Sequence, residues 1–545
     1  MPAAPPALAA GRLLRQTGAM RRALSALLLL LAAAAAPPRP AAAGDLLLSA
    51  GDLAPAGLPG LAAARLVPPD PAPGLPAVDP AATDAAAVLL RRLAAAGRAA
   101  GAAGLVYDNR DRGHSDLPAA TLPGLARLRY DAALRAAGLD YGLAGAILLP
   151  RAITFGNSST AVTGGDAPRS LGRLAMTTAS GPARAFAAHA GNRIDVYPAH
   201  LDHDAADLFP ANWPYMVLSQ GSSGSDQPFL RAIALTLAAF PPETRARLAR
   251  EGLVAPALQM ILRRSLVTVR SRDAYRGPAA HPTVFAAADL APERMVAMAA
   301  AMAPGTIPPL VRLAVEQEDF AAAAGLAGRS ERLFDTPAAI ARIWRGPGFR
   351  RAMLVSAAAT RDPNGHALRF GWVLLRGDPA RVRITPLDPA GRRARIEIAW
   401  HDPFPLPGPP HAGAPRRGSR VDIGVFAWNG THDSAPAFVS VSFPDHEIRR
   451  YGPAPDGAAE ADGVRLVSID YDAEGRGAAY DPWLHWSAPW TDRFDAAGGW
   501  RRDHADGRSE RFDAEGRRLG PAGPEPLGYR IRPQGRAALL EAAAE

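Results

Sequence analysis

A change of hydrophobic period near residue 350 constrains this chain more than any other feature. Before it, apolar residues recur at helical spacing, as at Val88, Leu89 and Leu93, between short apolar runs. After it, helical spacing gives way to short alternating runs at 369–375, 382–384, 395–399, 421–427 and 437–443, separated by Gly, Pro, Asp and Asn turns. A chain of 545 residues holds roughly two to four domains at about 100–200 residues each. The pattern therefore predicts a multidomain protein with an N-terminal α/β (or α+β) domain at 81–345, a β-sandwich at 350–445 and a β-hairpin-rich C-terminal section at 446–545.

In the first domain the spacing predicts helices over 81–100, 122–137, 228–240, 242–251, 255–264, 291–303 and 336–345. Strands are predicted at 105–107, 144–149, 152–155 and 215–219. Residues 44–80, rich in Ala, Pro, Gly and Leu with little periodicity, read as an extended lead-in. Beyond 446 an aromatic residue followed by D-x-x-G recurs at Tyr471, Phe494 and Phe512. Asp caps such a turn and Gly supplies its positive φ, so these read as hairpin tips.

Ser356-Ala357, Asp362-Pro363-Asn364-Gly365, and then Leu368, Phe370 and Trp372 carry a family pattern. On them the segment 352–443 resembles a PKD-type, immunoglobulin-like β-sandwich, with 421–443 supplying the closing strands. The resemblance implies an accessory module on a secreted hydrolase or surface protein, a spacer or ligand-holding platform, with Trp372 in the sandwich core. It implies no catalysis. Asp362 and Asn364 provide too few oxygens for calcium, which takes 6–8, so a plain turn is the simpler reading. The long Pro/Gly-rich loop at 403–419 departs from the pattern. The rest of the chain has the general look of uncharacterised secreted bacterial proteins.

The N-terminus reads as a secretory signal peptide over 1–43. Arg21 and Arg22 precede an apolar run over 23–36, then prolines and the small triplet Ala41-Ala42-Ala43, with Met20 as an alternative start. The expected location is periplasmic or extracellular, with no membrane span in the mature chain. The absence of cysteine excludes disulfides, thiolate nucleophiles and Cys-ligated zinc. The formal charge of +9 is carried by dispersed arginines, with no lysine. They form no basic stripe with interleaved aromatics, so nucleic-acid binding is not expected.

Four polar loops follow apolar strands. In the first, 219–227, Gly221-x-Ser223-x-Ser225 approximates the G-x-S-x-G turn that exposes a nucleophile between strand and helix. Ser223 is then the nucleophile, while Ser222, Ser225 and Asp226 make an anion or ligand cradle at the helix N-terminus. A capped glycine–serine loop explains the same residues. In the second, His200, Asp202, His203 and Asp204 suit a divalent metal, zinc or calcium. Alternatively His203 or His200, oriented by an Asp such as Asp202, serves Ser223 as base, or the cluster is a solvated loop. The third loop contains Asp108, Asn109, Arg110, Asp111, Arg112 and His114; its arginines suit a carboxylate, sulfate or phosphate, or an internal salt-bridge network. The fourth begins at Asn157. Together they point to a secreted hydrolase acting on an extracellular polysaccharide, peptide or ester. The alternative is a non-catalytic secreted or surface ligand-binding protein.

Overall fold

The computed structural model describes residues 44–543 except 144, 161–171, 201–208, 323–329, 407–415, 445–446, 455–462, 472–487 and 535–536. The expected signal peptide and Asp202, His203 and Asp204 lie outside the described residues. The chain divides into two compact units: Met1–Leu201, Tyr215–Arg270 and Val284–Pro308 form one, and Asp202–Pro214, Ser271–Thr283 and Pro309–Glu545 the other.

The first unit is α/β. Its strands are β1 (Asp45–Leu48), β2 (Leu53–Pro55), β3 (Leu61–Ala64), β4 (Leu105–Asn109), β5 (Ala126–Tyr130), β6 (Ala146–Leu148), β7 (Ile153–Asn157), β8 (Arg193–Pro198) and β9 (Met216–Ser219). Six of them form an all-parallel sheet in the order β1-β5-β4-β7-β8-β9. β4, β7, β8 and β9 are buried almost throughout, as strands covered on both faces must be. β2, β3 and β6 make a smaller sheet. The helices are α1 (Ala85–Ala95), α2 (Ala132–Ala136), α3 (Arg173–Thr177), α4 (Gly181–Ala190), α5 (Gln227–Ala239), α6 (Pro242–Glu251), α7 (Val254–Ser265) and α8 (Pro292–Ala301), with α1, α5 and α8 packed on one another.

Two expectations are corrected here. Residues 44–80 are more than a lead-in, since β1 forms the edge of the parallel sheet and buries Leu46 and Leu48. The helix expected over 122–137 is strand β5 followed by the short α2. Ala126, Leu128 and Tyr130 are buried at period two, a shorter period than the neighbouring Leu and Ala suggested.

Gly156, in β7, faces Asp108 of β4 on one side and Asp195 of β8 on the other. A Cβ there would lie 2.1 Å from the Asp108 carbonyl oxygen and 3.3 Å from Asp195 Oδ1. Neither the strand backbone nor the Asp195 carboxylate, held by Arg193 at 2.8 Å, can yield readily. Gly156→Ala is therefore expected to destabilise the protein by about 1–3 kcal/mol or more, seen as a lowered thermal unfolding midpoint.

The second unit is rich in antiparallel β-structure, which begins at Ala314 rather than near 350. One sheet joins β10 (Ala314–Glu318), β13 (Arg350–Ser356), β16 (Arg393–Ala399) and β15 (Val382–Pro386), in that order. Another runs β11 (Arg332–Thr336), β12 (Ala339–Ile343), β18 (Ala437–Ser442), β17 (Arg420–Trp428) and β14 (Arg369–Arg376), with β12 and β18 parallel. The helix expected over 336–345 is β12. All five of its residues are buried, and such a run looks alike in a buried strand and a buried helix.

The segment 352–443 thus shares its larger sheet with two strands from before residue 350. Trp372 is half-buried and donates its indole N–H to the Gly391 carbonyl at 2.7 Å. The aromatic core is instead Trp344, Trp400 and Phe443, with ring centroids 5.3–6.0 Å apart. Asp362 is a turn cap: it accepts the backbone N–H groups of Asn364 and His366 and the Asn429 amide. Further on, seven strands pair successively as an antiparallel meander from Ile448–Pro453 to Gly523–Glu525, followed by a hairpin. Asp495 and Asp513 cap two of its turns, with Gly498 at φ 86° and Gly516 at φ 85°. The turn expected after Tyr471 lies outside the described residues. Among the described residues no helix is long and apolar enough to cross a membrane.

Candidate functional site

The parallel sheet places its polar loops by topology. From β4 the chain passes to β5 on one side, then returns to β7 on the other. In an open α/β sheet such a reversal opens a crevice at the carboxyl ends of the strands. β4 ends there in Asp108 and Asn109, paired in register with Gly156 and Asn157 at the end of β7. β8 ends at Pro198, which pairs with Ser219 at the end of β9.

Asn157 lies at the centre and is fully buried. Its Oδ1 accepts the Tyr107 hydroxyl at 2.8 Å, and its Nδ2 donates to Asp226 Oδ2 at 2.7 Å and to the Ser115 carbonyl at 3.3 Å. A phenol on one side and a carboxylate on the other fix the orientation of the amide.

Asp226 immediately precedes α5. It sits in the N-cap position with helical backbone angles and makes no capping bond, so its carboxylate is free to turn to Asn157. The residue has no solvent exposure, and Oδ1 has no hydrogen bond of ordinary geometry among the described residues. Burial raises its pKa above the ordinary carboxylate value, and the nearby Asp111 charge adds to the rise. Asn157, the Ser115 hydroxyl and its own backbone N–H offset only part of this.

Asp111 is the second buried carboxylate. Its Oδ1 accepts the Ser159 hydroxyl at 2.8 Å, and its Oδ2 lies 3.1 Å from His114 Nδ1. Asn109 shapes this loop, its Oδ1 accepting the N–H groups of Asp111 and Gly113. His200 closes the group. Its backbone N–H donates to the Gly221 carbonyl at 2.9 Å and its Nε2 lies 3.1 Å from the Ser159 carbonyl. A carbonyl only accepts, so Nε2 carries the proton, and in the neutral ring Nδ1 is an acceptor. Burial lowers the His200 pKa, against weaker opposition from the Ser159 carbonyl, Asp111 and Asp226. Arg112, Ser115 and His200 hold φ values of 53°, 52° and 52°. Left-handed backbone at non-glycine residues is costly and collects at working sites.

Other predicted residues have structural positions. Asp108 is fully buried. Its Oδ1 accepts the Tyr130 hydroxyl at 2.9 Å and its Oδ2 lies 2.8 Å from Arg193 Nη1. Arg110 is buried and donates to the carbonyls of Gly145 and Leu139, away from any role as an anion clamp. Ser222 and Ser223 are exposed, and among the described residues no imidazole hydrogen-bonds Ser223. Ser225 Oγ lies 2.9 Å from Ser219 Oγ, and Gly221, at φ 125°, leaves room for the turn. Of the predicted metal cluster only His200 is described. Among the described residues no three His, Asp or Glu side chains are grouped to hold a metal ion.

Sequence reasoning missed Tyr107, Tyr130, Arg193 and Asp195. The signal for the last two was the period-two pattern Arg193-Ile194-Asp195-Val196-Tyr197, whose charges disguised a buried strand.

Fold and site define an open parallel α/β unit with a buried acid beside its strand ends, in a chain that also holds an antiparallel β-rich unit. No family model and no curated protein sequence matches the chain. Among solved structures, a nucleoside hydrolase-related hypothetical protein from Saccharophagus degradans, associated with carbohydrate metabolism, aligns over 53% of this chain and 71% of its own, at 9% identity and a TM-score of 0.18. A likeness at that level assigns neither fold nor activity.

Proposed function

We propose that the first unit is a hydrolase and that Asp226 is its general base. The observation that carries this reading is a fully buried carboxylate with a raised pKa, held through Oδ2 by Asn157 beside the carboxyl ends of the parallel strands. Asp226 takes a proton from water as that oxygen attacks the electrophilic carbon, then returns it to the leaving oxygen as the old bond breaks. Asn157 fixes the direction of the carboxylate, and Asp111 and His200 set its electrostatic surroundings. The protein acts after export, on an extracellular ester or polysaccharide, with the PKD-like segment as an accessory.

The test is a panel of chromogenic esters and glycosides assayed with wild type, Asp226→Asn and Ser223→Ala. Turnover is expected in wild type, near-complete loss in Asp226→Asn, and wild-type rates with no fluorophosphonate labelling in Ser223→Ala. Loss of turnover and labelling in Ser223→Ala alone would transfer the chemistry to the serine turn. Oligosaccharide binding without turnover of any substrate would instead favour the ligand-binding reading.

A further inference from the structure

We propose that the ligand of this site is acidic, and that a separate cationic subsite seats its anionic group. This rests on the hydrolase reading for the reaction, though not for the binding. A cavity of about 660 Å³ opens beside the β4 and β5 strand ends, and Arg112, Arg127, Arg129 and Arg135 line it against only two acids, Asp116 and Asp140.

The ion pairs leave guanidinium donors uncommitted. Arg112 approaches Asp140 through Nε, at 3.5 Å, with its guanidinium 4.9 Å from the Tyr141 ring centroid, and Arg129 bonds Asp45 through Nε, at 3.3 Å. Arg135 is exposed and has no ion pair among the described residues. Arg127 differs: it holds Asp116 at 3.0 Å and the Leu117 carbonyl, so it braces the wall. Planar, always-charged forks with free Nη donors are the groups that bind carboxylate, sulfate or phosphate in two-point fashion.

The cavity is connected to the base. Tyr107 forms part of its wall, and the Tyr107 hydroxyl bonds the same Asn157 whose amide grips Asp226. A charge seated in the cavity is thus coupled to Asp226 through one tyrosine and one amide. The arginines also draw such a ligand in, since like-signed cations around a concave wall concentrate counter-charge there.

The test is calorimetric titration at low ionic strength with inorganic phosphate, sulfate and glucuronate as separate probes. The proteins are wild type, Asp226→Asn and the triple variant Arg112→Gln/Arg129→Gln/Arg135→Gln, with Arg127 left in place. At least one anion is expected to bind saturably to wild type and Asp226→Asn, and about tenfold or more weakly to a triple variant with unchanged circular dichroism and melting. The preferred probe identifies the anionic group. No saturable binding of any of the three to wild type, or equal binding by the triple variant, overturns the subsite. An active Asp226→Asn, with anion binding lost only in the triple variant, keeps the subsite and removes the base assignment.

Discussion

Asp226→Asn is expected to lower turnover by about 10²–10⁴-fold, the usual contribution of a positioned general base, while the fold stays intact. Asparagine is isosteric and can still accept the Asn157 amide bond through its oxygen. The stability consequence has a definite sign. A carboxyl whose pKa is raised on folding binds its proton more tightly folded than unfolded, so its contribution to stability falls as pH rises from the unfolded value through the folded one. At pH 7 the wild type carries that penalty and the variant does not. The variant should melt at or above the wild-type temperature at neutral pH, and the difference should shrink on acidification through the carboxylate range. Activity runs the other way, since the base works only when ionised. The acid limb of kcat/KM in wild type should stand above the ordinary aspartate value. A limb at an unperturbed carboxylate value, or a variant with wild-type turnover, would sink the assignment.

The largest stability effect is expected from Arg193→Ala, at about 3–5 kcal/mol, the range for breaking a buried ion pair from one side. Arg193 is 2% exposed. It lies 2.8 Å from Asp108 Oδ2 and 2.8 Å from Asp195 Oδ1, with one hydrogen bond to the Ile147 carbonyl. Burial alone would lower its pKa, and the two carboxylates reverse this and raise it. Removing the guanidinium strands Asp108, which has no solvent exposure. Denaturant unfolding measures the loss. The double variant Arg193→Met/Asp108→Asn should recover much of it, because the cost lies in the unpaired charge rather than in absent packing. Equal losses in the single and double variants would point to packing instead.

The sequence exposed the scaffold of the first unit better than its site. The α6 helix was legible over its full length and α7 to within a residue, because amphipathic helices announce their period. β5 and β12 were not, because Ala- and Arg-rich runs satisfy helical and strand spacings alike until burial decides. The loops after strands singled out by sequence bring Asp108, Asn109, Asp111, Asn157, His200 and Asp226 to the strand ends. What the sequence could not convey was pairing across distance. Asp226 looked like a helix cap because its local context is that of a cap. Only the arrival of Asn157, 69 positions away in sequence, turns the carboxylate inward. Arg110 looked like an anion clamp until the carbonyls of Gly145 and Leu139 claimed it.

The grip of Asn157 on a single oxygen makes Asp226 a one-sided acid. A free carboxylate offers two equivalent oxygens to an incoming proton. Here Oδ2 already faces an amide N–H, and a proton placed on it would oppose that donor. A proton on Oδ1 leaves the Asn157 bond undisturbed, so on the general-base reading proton transfer runs through the oxygen that the amide leaves open.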